Sequence, residues 1–141
     1  MAEGIFNHMI EGNERLKGKI MAKSAGVFAI EGDTASDGAI KAMEEMGIDI
    51  KDHRARRLVP SMIREADIIL AMTHSHKDAI LSMVPSAAAK TYTLAEYGAK
   101  FDKNFKEMNI EDPYGQSLEV YRKSANDIKR ILEVIVEHME I

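Results

Sequence analysis

Apolar residues along the chain recur mostly at helical spacing, with a few short runs at strand spacing. Ile5, Phe6, Met9 and Ile10 fall on one face before Leu16, so the spacing predicts an opening helix that ends near Gly18. In residues 19–28, Ile20, Ala22, Ser24 and Gly26 alternate with the other face, which predicts a strand followed by a turn at Gly32 and Asp33. A second helix carries Ala39, Ile40, Met43 and Met46, and Gly47 stands where a left-handed terminating residue belongs. Residues 47–50 then lead the chain back toward the sheet.

Pro60 and Ser61 open a short helix through Glu65, and residues 67–72 include the unbroken apolar run Ile68-Ile69-Leu70-Ala71-Met72, suited to a parallel strand covered on both faces. Residues 75–83 predict a helix capped by Ser75 and closed by Pro85. Residues 90–93 predict a strand, and residues 94–98 a turn or two of helix. Asp112-Pro113-Tyr114-Gly115 is a turn. Ser117 can cap a long last helix that buries Leu118, Tyr121, Ala125, Ile128, Leu132 and Ile135. Strands separated by helices imply βαβ crossovers, so the expected class is α/β: three layers, with a parallel sheet and helices on both faces.

The chain has 141 residues, enough for one domain over 1–141, and no repeats, linkers or low-complexity tracts interrupt it. Nineteen basic against 23 acidic residues give a net charge of −4, which argues against a general nucleic-acid binder. No apolar run is long enough to span a bilayer, and the opening residues are too polar for a signal peptide. A cytoplasmic protein with neither a nucleic-acid nor a membrane partner is expected. There is no cysteine, so disulfides, cysteine-zinc sites and thiol nucleophiles are excluded for this chain. His74 and His76 are spaced i, i+2 without an accompanying carboxylate cluster and read as surface residues; no metal or cofactor is expected. The ten methionines read as core filler.

Several segments together resemble the low-molecular-weight protein-tyrosine phosphatases, including their bacterial protein-arginine phosphatase branch. They are Met1-Ala2-Glu3-Gly4-Ile5-Phe6, Ser24-Ala25-Gly26, the stretch from Gly47-Ile48-Asp49 through His53-Arg54-Ala55-Arg56, Ala66-Asp67-Ile68-Ile69-Leu70-Ala71-Met72, and Asp112-Pro113-Tyr114-Gly115. The resemblance implies a phosphorylated protein substrate, carrying phosphotyrosine or phosphoarginine, and attack by a cysteine thiolate. It also implies that the family's first, central strand and its phosphate loop, with cysteine and arginine, are missing here. An N-terminally truncated chain or a misassigned start, inactive as it stands, is the expectation.

By resemblance, Asp112 is the general acid and Tyr114 flanks the substrate, while Ser24 and His53 support the phosphate loop. Each also has an ordinary reading. Asp112 and Tyr114 sit in a turn before a helix, Ser24 and His53 could make local hydrogen bonds, and Glu3 is a favourable partner of the first helix dipole. Arg54, Arg56, Arg57 and Arg64 form either a solvated face or the basis of the rival function, a non-catalytic module that binds an anion or partner. Strand edges left open by the absent strand predict self-association.

Overall fold

The computed structural model describes residues 1–106 and 108–140. Its helices are α1 (Ala2–Glu11), α2 (Asp37–Glu45), α3 (Pro60–Glu65), α4 (His74–Met83), α5 (Leu94–Ala99) and α6 (Leu118–His138). Two strands, β1 (Ile69–Ala71) and β2 (Thr91–Thr93), pair in parallel with Ile69 opposite Thr91 and Ala71 opposite Thr93. Between them run α4 and a 3-10 turn at Pro85–Lys90, the crossover that parallel strands require.

Side chains of β1 alternate between two cores, which makes the three layers. Leu70 packs into the larger core, where Ile5, Met43, Leu94, Ile131, Leu132 and Ile135 are buried between α1, α2, α5 and α6. Ile69 and Ala71 face the smaller one, built on Ile63, Ile80, Val84 and Ala87 from the α3 and α4 side. Burial of this strand is nevertheless weaker than the apolar run predicts. Ile68 is 42% exposed, and Ile69 and Leu70 are only half-buried. β1 pairs with β2 alone among the described residues, so its other edge is not covered by a neighbouring strand.

Helix termini follow local chemistry. Ser36 caps α2 by accepting from the Ala39 amide at 3.4 Å, and its hydroxyl donates to Tyr121 Oη on α6 at 2.9 Å. Gly47 closes α2 at φ +77°. Its amide donates to the Glu44 carbonyl and the Ile48 amide to that of Met43, the paired bonds of a Schellman end. Thr93 and Glu96 form a capping box at α5.

Other expectations need correction. Residues 19–28 do not form a ladder strand; Gly26 makes an isolated parallel bridge with Arg57. The reason is that α1 side chains take a neighbouring strand's place. Asn7 Nδ2 donates to the Ala22 carbonyl at 3.1 Å, the Ala22 amide donates to Asn7 Oδ1 at 3.2 Å, and the Ser24 amide donates to Glu3 at 2.7 Å. α1 stops at Glu11, with Gly12 as its C-cap, and Leu16 is buried from a following turn. α4 is capped by Thr73, which accepts from the His76 amide, and not by Ser75. Ser117 occupies the N-cap of α6, but its hydroxyl makes no capping bond. Met21 is 74% exposed and so is not core filler.

Candidate functional site

Two clusters contain the residues singled out by sequence. The first is organised by Glu3, in the opening turn of α1. Its Oε1 accepts from the Ser24 amide at 2.7 Å, the Ser24 hydroxyl at 3.2 Å and Arg56 Nη2 at 3.1 Å, while its Oε2 lies 3.2 Å from His53 Nδ1. The Glu3 side chain is 20% exposed and that of His53 28% exposed. Ser24 and His53 are therefore brought together, through a carboxylate. Beside them a cleft of about 420 Å³ is lined by Glu3, Asn7, Ile48, Asp52 and His53. Met1 lines the same cleft; burial lowers the pKa of its amino group, and the Glu3 carboxylate opposes that fall.

Sequence alone reads Glu3 as a helix-dipole partner and Arg56 as part of a solvated or anion-binding face, yet a signal for Glu3 exists. Glu3 and Asn7 are spaced i, i+4, which puts both on one helix face about 6 Å apart. Ala22 and Ser24 are spaced i, i+2 on one edge of an extended segment, about 6.6 Å apart. The repeats match, and Asn7 meets Ala22 as Glu3 meets Ser24.

The second cluster is the turn carrying Asp112 and Tyr114. Asp112 Oδ1 accepts from the Tyr114 amide at 3.0 Å, the Gln116 amide donates to the Pro113 carbonyl at 2.9 Å, and Gly115 takes φ +78°. Pro113 is buried, whereas Asp112 is exposed and Tyr114 is 77% exposed. The stem of this turn is anchored at both sides. The Ile110 amide donates to the Met72 carbonyl at 3.3 Å, immediately past β1, and Ser124 Oγ of α6 donates to the Glu111 carbonyl at 3.3 Å. Asp112 thus projects from a loop fastened at the carboxyl end of a parallel strand, where α/β proteins place their ligands. No hydrogen bond or ion pair joins Asp112 or Tyr114 to the Glu3 cluster among the described residues.

The remaining arginines do not converge on a shared point. Arg54 Nη1 donates to the carbonyls of Lys51 and His53, the Arg57 amide donates to Glu31, and the Arg64 carbonyl accepts from Lys90. Among the described residues no group of three His, Cys, Asp or Glu side chains is placed to hold a metal ion, and no helix is long and apolar enough to cross a membrane. A larger cleft of about 620 Å³ between α5 and the end of α6 contains none of the site residues.

Residues 1–140 match the family described as low molecular weight phosphotyrosine protein phosphatase. The chain belongs to that family. The family is one of hydrolases. A protein-arginine-phosphatase of Geobacillus stearothermophilus is 37% identical over 128 residues, covering 91% of this chain and 82% of its own. The crystal structure of a low molecular weight protein tyrosine phosphatase from T. tengcongensis superposes with a TM-score of 0.86 at 41% identity, covering 98% of this chain and 88% of that one. An arginine phosphatase, YwlE, solved as a cysteine-to-serine mutant with a phosphorylated active-site serine, gives a TM-score of 0.86 at 29% identity. That match covers 96% of this chain and 84% of its own. The expected α/β fold with a parallel sheet agrees with these structures.

Proposed function

We propose that this chain carries the acid loop and support residues of a phosphatase acting on phosphotyrosine or phosphoarginine in proteins, and that as a chain without cysteine it does not turn over. The observation that carries the reading is the Ile110 to Met72 hydrogen bond, which fastens the Asp112 loop at the carboxyl end of β1. In the family reaction a thiolate attacks phosphorus, and the bond to the leaving oxygen or nitrogen breaks. Asp112 donates the proton that this group takes up, and later accepts one from the water that cleaves the phosphocysteine. Its exposure suits both steps, because proton donor and water must meet there. Tyr114, exposed two residues on, flanks an aromatic or planar phosphorylated side chain. Ser24 and His53, clamped by Glu3, support the phosphate-binding loop.

Phosphate release from phosphotyrosine and phosphoarginine peptides tests both parts. The 141-residue chain should release none above a buffer control, and turnover that Asp112→Asn abolishes would overturn the claim of inactivity. A chimera with the family's cysteine-bearing strand and phosphate loop ahead of Met1 should hydrolyse one of the two substrates. In that chimera Asp112→Asn should lower kcat by about 10²–10⁴-fold. A folded chimera without activity, or one indifferent to Asp112→Asn, would count against the assignment.

The open edge of β1 and the exposed Met21, Phe28 and Ile30 support self-association of the isolated chain. Light scattering on the purified chain should give a mass above that of the monomer; a monomer at all concentrations would refute it.

A further inference from the structure

Glu3 is held in the way proteins hold a bound oxyanion. A backbone amide, a hydroxyl, a guanidinium and an imidazole reach it from two separate stretches of chain, at 2.7, 3.2, 3.1 and 3.2 Å. A helix-dipole partner needs none of these. Charge-assisted donors converging on one carboxylate make an anion site in the ordinary chemical sense. The cleft of about 420 Å³ that Glu3 and His53 line leaves a route to it from solvent.

We propose that Ser24, His53 and Arg56 form an oxyanion cradle whose resident occupant is the Glu3 carboxylate, and that a small carboxylate or phosphate takes its place when Glu3 is shortened. The inference rests on the hydrogen-bond geometry and holds whether or not the phosphatase reading does. Within the basic stretch two guanidinium groups already have partners. Arg56, the arginine of this stretch whose guanidinium reaches the cluster, is already committed to Glu3, and that of Arg54 is spent on backbone carbonyls. Arg56 therefore serves as counter-ion to Glu3. Without it, the Glu3 carboxylate would keep only the helix dipole and its contacts with Ser24 and His53.

Chemical rescue tests the cradle. Thermal unfolding of Glu3→Ala is followed by circular dichroism in sodium formate and in sodium phosphate, each against sodium chloride at equal ionic strength. Glu3→Ala should melt several degrees below wild type in chloride. Formate or phosphate should raise its Tm saturably at low concentration and then with the logarithm of concentration, as expected for a ligand of the folded state. Wild type and Glu3→Gln, whose side chains fill the cradle, should not respond beyond chloride, and Glu3→Ala combined with Arg56→Ala should lose the response. If Glu3→Ala is unfolded in chloride, formate should recover the helical signal. Rescue no better than chloride, rescue that survives loss of Arg56, or an equal response in wild type would each overturn the proposal. Wild-type protein titrated with inorganic phosphate should show no saturable binding that depends on Arg56; such binding would likewise overturn it.

Discussion

Gly38 on α2 faces the ring of Tyr121 on α6, and Gly38→Ala probes how firmly these helices are locked. A Cβ at this position would lie 2.4 Å from both Cδ2 and Cε2 of Tyr121, whereas carbon atoms pack at about 3.5–4.0 Å. Something must move by about 1 Å. The ring has little freedom: Tyr121 is 6% exposed and its hydroxyl is tied to Ser36 at 2.9 Å. Overpacking of this kind costs about 1–3 kcal/mol. Against it stands the advantage of Ala over Gly in a helix, at most about 1 kcal/mol and less in a first turn such as this. The clash wins, with a net loss of about 1–2 kcal/mol. For a chain near this length that lowers Tm by about 2–4 °C per kcal/mol. Calorimetry and urea unfolding at low temperature measure it, and the decisive control is the same substitution in a Tyr121→Ala background. There the clash is gone, so Gly38→Ala should become neutral or stabilising. A higher Tm for Gly38→Ala in the wild-type background would refute the argument, as would the same loss in both backgrounds.

Three further outcomes follow from single contacts. The Glu96 carboxyl is held below its ordinary value, first by the Thr93 amide and then by Lys77, so its stabilisation is fully present above about 4.5 and disappears as pH falls through the lowered value. Glu96→Gln should therefore cost about 0.5–1 kcal/mol at neutral pH and progressively less below 4.5 in pH-dependent urea unfolding. Lys90 Nζ donates to the carbonyls of Arg64 and Ala66 at the end of α3, at 3.0 and 2.6 Å; Lys90→Met should lower stability by about 1 kcal/mol in chemical denaturation. Leu132 is 1% exposed within the larger core, and Leu132→Ala should cost about 2–5 kcal/mol, read as a lower urea midpoint at unchanged slope.

What the sequence made legible is what local chemistry decides. α2 with its Gly47 terminus, α3 opened by Pro60, β2, α5 and the buried stripe of α6 from Tyr121 to Ile135 all follow from spacing and end signals, and the structure keeps them, although Leu118 at the head of that stripe is only half-buried. The turn at Asp112 was equally plain, because Pro113 and Gly115 admit little else. Residues 19–28 misled for a definite reason. Alternation reports which face of an extended segment is buried, but says nothing about what pairs with its backbone edge. Here the partners are Asn7 and Glu3, side chains on a helix, so the segment is extended without belonging to a ladder. Glu3 itself was hidden because a carboxylate in a first helical turn already has a sufficient local explanation. Its contacts with His53 and Arg56 depend on where those residues come to rest, which no local pattern contains. Thr73 and Ser75 were indistinguishable as caps, being hydroxyl residues two positions apart.

α6 meets α1, α2 and α5, and its Val136 closes the small cluster in which Ile10 and Leu16 are buried. Arg15 fixes the same junction by donating to the Val136 carbonyl at 2.9 Å. During synthesis α1 leaves the ribosome well before α6, with Ile10 and Leu16 still lacking their partner Val136. Val136 closes that cluster only when residue 136 has been translated and has cleared the exit tunnel. Until then the nascent chain carries its hydrophobic surfaces open, a period of exposure set by the distance in sequence between the two ends of the core.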